Sequence, residues 1–309
     1  MENEYEDRLR QELEGFNEYV NVHDLPEIYH YWSNKYLRPM IEEYGISNPN
    51  DLFVDYMLDS ASLCNVEKSM FVSIGSGNCE TEIQVAKLLK SKGLDEFIIE
   101  CVELNENMLK RGFDLAKKEG VLENVSFIQA DFSEWKPSTE YVSVIANHYS
   151  LHHVQNLEGL FREIKKFLYN NGSFIVNDMI GRNGHQRWPE ALEAVNDFWK
   201  ILPEKYKYNH QLKRYEEVYE NWDCSIEGFE GIRAQDILPL LVDSFHFEFF
   251  IGFSNIIDIF IDRGFGHNFD AHNKWDNNFI DEIHKFDENS IANGTIKPTH
   301  MMASMKKIQ

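Results

Sequence analysis

Several groups of residues in this chain have types and spacings suited to chemistry. The first is Gly75-Ser76-Gly77, which closes the apolar run Phe71-Val72-Ser73-Ile74 and precedes Ile83, Ala86 and Leu89 at helical spacing. Glycines there let the backbone turn tightly and let a ligand approach without meeting a Cβ, and a helix N-terminus offers free N–H groups to a negative group. Glu103, at the end of the next apolar run, follows at about the ~20-residue spacing of one βαβ unit. Its carboxylate either accepts from two ribose hydroxyls or caps the helix beginning near Asn105. Asp131, at the end of a third run and followed by Phe132, suits an adenine amino group with a ring stacked beside it, or an N-cap with a core aromatic.

Glu80 decides between nucleotides. It stands where a dinucleotide turn places its third glycine, and its charge would oppose a pyrophosphate. That weakens a nicotinamide-dependent reading and favours a ligand with ribose and adenine but no phosphates. Past a fourth run come Asn147-His148-Tyr149-Ser150-Leu151-His152-His153, polar groups where open α/β sheets bind ligands. His148, His152 and His153 are the candidate proton acceptors, although either of the paired histidines could equally cap a helix or bond a carbonyl. Arg182, His185 and Arg187 lie close together in a chain that is otherwise strongly acidic. They would clamp a carboxylate or phosphate, or pair in solvent with Glu190 and Glu193. Trp222–Ser225, Gly228–Arg233 and Arg263–Asp270 mix aromatic, charged and glycine residues, and read either as pocket lining or as turns closed by Arg–Asp pairs. His267, His272 and His284 lack metal-ligand spacing, and no metal is assigned.

The elements that must carry these groups follow from periodicity. Strands are predicted at Met70–Ile74, Phe97–Leu104, Val125–Ala130, Tyr141–Ala146 and Ser173–Asn177, with amphipathic helices between them. The clearest helix carries Leu157, Leu160, Phe161, Ile164 and Leu168 on one face and is expected to stop at Asn170-Asn171-Gly172. Such alternation implies an α/β fold with a parallel sheet covered on both faces. His246–Ser254 and His300–Lys306 supply two final strands, and residues 255–298 between them form a lobe too long for a plain connection. We divide the chain into a helical N-terminal segment (1–65), a nucleoside-binding core (66–180) and a part that completes the sheet and faces the second substrate (181–309). Met1 to about Gly15 reads as a frayed helix or tail. Tyr29, Tyr31 and Trp32 either close the pocket as a lid or simply pack between helices.

The chain's 309 residues, 43% hydrophobic, suffice for a sizeable core. Its 30 basic and 52 acidic residues give a formal charge of −22, which opposes phosphate backbones and anionic membranes. A nucleic-acid partner is therefore not expected. No apolar run approaches the ~20 residues of a membrane span, and the N-terminus lacks a secretory pattern. Cys64, Cys79, Cys101 and Cys224 show no CxxC spacing and read as reduced thiols in a cytoplasmic protein.

Taken together, the Gly75-Ser76-Gly77 turn, Glu103, Ala130-Asp131-Phe132, and Asn147 with Leu151-His152-His153 resemble the class I S-adenosylmethionine-dependent methyltransferases. Ser73 departs from that pattern where an acid is usual, and Cys79 where a third glycine is. The resemblance implies a Rossmann-like seven-stranded, mostly parallel sheet with an antiparallel last strand. It implies that Gly75, Ser76 and Gly77 line the methionine and ribose, and that Glu103 holds the ribose. Leu104 and Met108 would lie against adenine, with Ala130, Asp131 and Phe132 at its edge and face, and Asn147 and His148 at the methionine. The reaction expected is methyl transfer to N or O of a small, metabolite-sized acceptor bound by Arg182, His185 and Arg187. His148 or His152 would take the proton, in a monomer or homodimer. The alternatives are an NAD(P)-dependent oxidoreductase and a non-catalytic nucleoside-binding module of the same fold.

Overall fold

The computed structural model describes residues 5–11, 13, 25–131, 135–137, 139–146, 150–226 and 228–308. Seven strands form one sheet: β1 (Ser69–Ile74), β2 (Phe97–Glu103), β3 (Val125–Gln129), β4 (Tyr141–Ala146), β5 (Leu168–Met179), β8 (Phe245–Phe253) and β9 (His300–Lys307). Their order is β3-β2-β1-β4-β5-β9-β8, and a separate two-stranded ribbon pairs β6 (Tyr208–Asn209) with β7 (Arg214–Tyr215). The pairs β1–β2, β1–β4, β2–β3 and β4–β5 are parallel, while β9 runs antiparallel to both β5 and β8.

Alternation along each strand splits the interior into two cores. Phe71, Ile99 and Ile175 face one side, against Leu52, Phe53, Ile83 and Leu89 of helices α1 (Pro49–Cys64) and α2 (Glu80–Ser91). Val72, Ile74, Phe174 and Val176 face the other, against Leu160 and Ile164 of α4 (Leu157–Phe167) and Ile237 and Leu241 of α6 (Ala234–Ser244). Sequence-local signals fix the helix ends. Asn48 caps α1 ahead of Pro49, accepting from Asn50 and Asp51 N–H, and Asn105 caps α3 (Glu106–Glu119), accepting from Asn107 and Met108 N–H. Gly120 ends α3 at φ +74°.

One expected boundary is different. Helix α4 stops at Phe167, and Leu168 already belongs to β5, opposite Tyr141. Gly172 therefore ends no helix. Its missing side chain lets the strand lie close to its neighbour, because a Cβ there would stand 2.6 Å from the Val142 carbonyl oxygen. The segment between β8 and β9 holds helices α7 (Ile256–Ile261) and α8 (Lys274–Ala292), with α5 (Pro189–Ile201) packed beside α7. The Tyr29–Trp32 stretch belongs to this helical layer. Tyr31 and Tyr36 hydroxyls donate to Asp281 at 2.9 and 2.7 Å, and the Trp32 indole N–H donates to His284 at 3.2 Å.

Candidate active site

Strand order reverses between β1 and β4, and an open α/β sheet has its ligand crevice beyond the carboxyl ends of the two strands there. Gly75, Ser76 and Gly77 lie at that point. Gly75 (φ +68°) presses against the segment after β4, since a Cβ on it would fall 2.4 Å from Ser150 Cβ. Gly77 (φ +54°) has nothing within 4 Å of where its Cβ would stand, which leaves a cradle for a ligand. The N–H groups of the turn are already used. Gly75 and Ser76 donate to the Val102 carbonyl at 2.9 and 3.2 Å, and Gly77 donates to Glu103 Oε2 at 3.0 Å. A pyrophosphate would find those three donors occupied.

Glu103 closes β2. Its Oε1 accepts from Asn105 N–H at 2.9 Å while Asn105 itself caps α3, so the capping role falls to Asn105. Burial pushes the Glu103 pKa up, with the backbone donors of Asn105 and Gly77 pulling the other way. Two fixed bonds aim the carboxylate and leave further lone pairs for a diol. Met108 is buried, Leu104 half-buried, and Ala130 N–H donates to the Glu103 carbonyl at 3.1 Å, which joins the ends of β2 and β3. The Tyr5 hydroxyl donates a short hydrogen bond to Asp131. Phe132, Asn147 and His148 lie outside the described residues.

The two departures in the glycine turn have structural answers. Cys79 adopts the left-handed conformation (φ +58°) that a glycine would take without strain, with its side chain buried against Gly112. Beside Ser73 the following helix presents an acid. Glu82, in the first turn of α2, is buried and accepts from Ser73 Oγ at 2.6 Å, while its Oε2 is buried without a hydrogen-bond partner. Burial pushes its pKa up to about 7, with the Ser73 hydroxyl opposing.

Beyond β4 and β5 a second polar group forms. His152 Nδ1 lies 2.8 Å from Asp178 Oδ1, and its Nε2 lies 3.1 Å from Glu230 Oε1. His185 Nε2 approaches the same Glu230 oxygen at 2.5 Å, and His153 Nε2 lies 3.6 Å from Glu230 Oε2. Burial lowers the His152 pKa, but the two carboxylates more than reverse this and raise it to about 10. Burial pushes the His185 pKa down despite its contact with Glu230. Loop geometry brings these residues together. Gly184 N–H donates to the Gly231 carbonyl at 2.9 Å, which fastens the His185 loop to the Glu230 loop. Side chains are excluded at Gly184 (φ +63°), where a Cβ would lie 1.9 Å from Asp223 Oδ1.

Arg187 is 5% exposed, donates to the His185 carbonyl at 2.8 Å and lies 3.4 Å from Asp258. Its Nε is buried with no hydrogen-bond partner. Arg182 reaches the Arg187 carbonyl at 3.4 Å. The structure therefore gathers His152, His185 and Arg187 beyond β4 and β5, and Gly77, Glu82 and Glu103 around the turn after β1. Sequence spacing did not single out Glu82 or Asp178, and it reached Glu230 only as part of the Gly228–Arg233 segment read as pocket lining or a turn. Asp178 at the end of β5 and Glu230 beside Gly231 carry a local signal, while Glu82 inside a helix carries none.

The sheet order, with the glycine turn at its point of reversal, defines a Rossmann-like α/β protein. Residues 67–222 match the methyltransferase domain family, and the chain belongs to that family. It is a class I S-adenosylmethionine-dependent methyltransferase. Glu82 Oε2, the Gly77 cradle and the Glu103 carboxylate fit that cofactor, whose donor half carries an ammonium and a ribose diol but no phosphate. Among solved structures, the chain is similar to an O-methyltransferase of a trans-AT PKS multienzyme of Brevibacillus brevis, in complex with S-adenosyl-L-homocysteine. The identity is 16%, over 82% of this chain and 72% of that one, with a TM-score of 0.45. It is also similar to the [4+2]-cyclase SpnF (13% identity, 82% and 81% covered, TM-score 0.44). A third is geranyl diphosphate C-methyltransferase from Streptomyces coelicolor A3(2) (10% identity, 82% and 76% covered, TM-score 0.44). No protein of curated function matches the sequence. Among the described residues, no helix is long and apolar enough to cross a membrane.

Proposed function

We propose that this enzyme methylates an oxygen or nitrogen of a small, anionic metabolite seated over the carboxyl ends of β4 and β5. The observation that carries the reading is the polar chamber of His152, Asp178, His185 and Glu230, set beyond the donor turn with the buried Arg187 beside it. S-adenosylmethionine supplies a methyl group already activated on a sulfonium, so the protein chiefly aligns acceptor and donor and excludes water.

Glu103 holds the ribose hydroxyls, and Gly75, Ser76 and Gly77 form the floor beneath. Glu82 answers the methionine ammonium through its unpaired oxygen, in place of the acid missing at Ser73. Leu104, Met108 and Ala130 flank adenine, with Asp131 at its edge. On the acceptor side Arg187, with an unspent Nε–H, and Arg182 attract an anionic group, and His185 orients it. An O–H or N–H acceptor must also lose a proton. Glu230 is placed to receive it, bonded to a His152 that the two carboxylates keep protonated and that Asp178 holds from behind.

The test is turnover with a panel of hydroxy- and amino-carboxylic acids, reading methylated product and S-adenosylhomocysteine release by mass spectrometry. Turnover of carboxylate acceptors that falls at least tenfold in Arg187→Gln, with S-adenosylhomocysteine affinity unchanged, supports the reading. Equal turnover of neutral and anionic acceptors in both proteins overturns the anionic assignment.

A further inference from the structure

We propose that His152, His185 and Glu230 bind one divalent transition-metal ion, with Asp178 fixing His152 from behind. The site stands on the geometry of these side chains and does not depend on the acceptor assigned above.

Hydrogen bonding around Asp178 sets the argument. Its Oδ2 accepts from Leu151 N–H at 2.7 Å and its Oδ1 from Met179 N–H at 2.7 Å, so this fully buried carboxylate is committed as an acceptor. His152 Nδ1, 2.8 Å from Oδ1, must then carry a hydrogen. Its Nε2 faces Glu230 Oε1, 3.1 Å away, so either a second proton or a metal ion stands between the two atoms. A second imidazole nitrogen, His185 Nε2, converges on the same oxygen at 2.5 Å, and His153 Nε2 lies 3.6 Å from the other.

One ligand atom from each of His152, His185 and Glu230 lies within 4.8 Å of the others. Ligands ~2.1 Å from a shared ion stand about 3.0–3.4 Å apart, so small side-chain movements admit the ion. A divalent ion would displace the proton that His152 otherwise holds and would balance the two carboxylates in its place. Imidazole nitrogen with one carboxylate suits zinc, cobalt or iron rather than magnesium or calcium. A carboxylate behind a ligating histidine fixes its tautomer and raises its basicity. Glu230 is the 40% exposed member, so the open side of the ion would face the acceptor.

The test uses the full chain, stripped with a chelator and titrated with Zn²⁺ and Co²⁺ by calorimetry and visible absorption. One ion should bind per chain, with cobalt bands that disappear in Glu230→Gln and His185→Ala and affinity reduced about 100-fold or more. Asp178→Asn should weaken binding by about 10–100-fold. S-adenosylhomocysteine titration of every variant shows that the fold persists, and its loss in wild type would refute the donor reading instead. Absence of stoichiometric binding by wild type, or equal binding by the Glu230→Gln/His185→Ala double variant, overturns the metal site. Glu230 lies toward the rim, so Glu230→Gln alone serves as the test if His185→Ala fails to fold.

Discussion

Replacing Glu103 with alanine tests the donor site most directly. The carboxylate is held at 3.0 Å from Gly77 N–H and 2.9 Å from Asn105 N–H, and its remaining lone pairs are available to the two ribose hydroxyls. Hydrogen bonds to a charged group contribute about 1.5–3 kcal/mol each, so losing two costs about 3–6 kcal/mol. At about 1.4 kcal/mol per tenfold, S-adenosylhomocysteine should bind roughly 10²–10⁴-fold more weakly. Loss of the Gly77 and Asn105 bonds also loosens the turn, and a ligand control separates the two effects. Wild type should bind the 2′-deoxy analogue about 10–100-fold more weakly than the parent, whereas Glu103→Ala should bind both within about threefold. Isothermal calorimetry on the four pairings measures the coupling. Should Glu103→Ala retain the wild-type preference for the hydroxylated ligand, the carboxylate does not hold the ribose.

Glu82 gives the pH dependence. Its folded pKa of about 7 lies above the ordinary 4.5, so between these values the folded chain holds the extra proton. The group's stabilising contribution is complete below about 4.5 and is lost as pH rises toward 7, by up to about 3 kcal/mol. Urea midpoints across that window should show the decline in wild type and a flatter line in Glu82→Gln. S-adenosylhomocysteine affinity should rise over the same window in wild type only. Gly75→Ala combines a left-handed φ with a Cβ 2.4 Å from Ser150 Cβ, and should lower stability by about 2–4 kcal/mol. Ser150→Gly should recover the steric part, as read by thermal unfolding of the double variant. Asp287 accepts from the N–H groups of Asn255, Ile256 and Ile257 at 2.8, 3.0 and 3.3 Å. Asp287→Ala should cost about 3–5 kcal/mol of unfolding free energy, and a change under about 1 kcal/mol would contradict it.

What the sequence disclosed depended on how locally each feature is encoded. The glycine turn, the next strand and Glu103 form one βαβ unit, whose spacing is set by the length of a helix and two strands, so they could be read together. Glu82 was not legible because it sits on the helix rather than on the strand with Ser73. The helix carries its carboxylate back beneath the same turn. The histidine–carboxylate chamber was invisible as a unit, since His152, Asp178, His185 and Glu230 come from four separate loops and strand ends. Only the Gly184–Gly231 bond and the sheet register bring them together. The Leu168 boundary misled for a different reason. An apolar residue at helical spacing is equally acceptable to the start of a strand, and pairing with Tyr141 decided the matter.

Arg8 donates to the carbonyls of Ser225 and Gly228 at 2.9 and 2.8 Å, and the Tyr5 ring lies 5.2 Å from Phe229 while its hydroxyl reaches Asp131. This N-terminal segment thus acts as a clasp between Asp131 at the end of β3 and the loop that bears Glu230. Trimming it with a protease would leave the histidine–carboxylate chamber's own residues in place, yet would unfasten the loop that carries one of them. Catalytic loss after such trimming would report on the hold of a distant strap rather than on damage to the reaction centre.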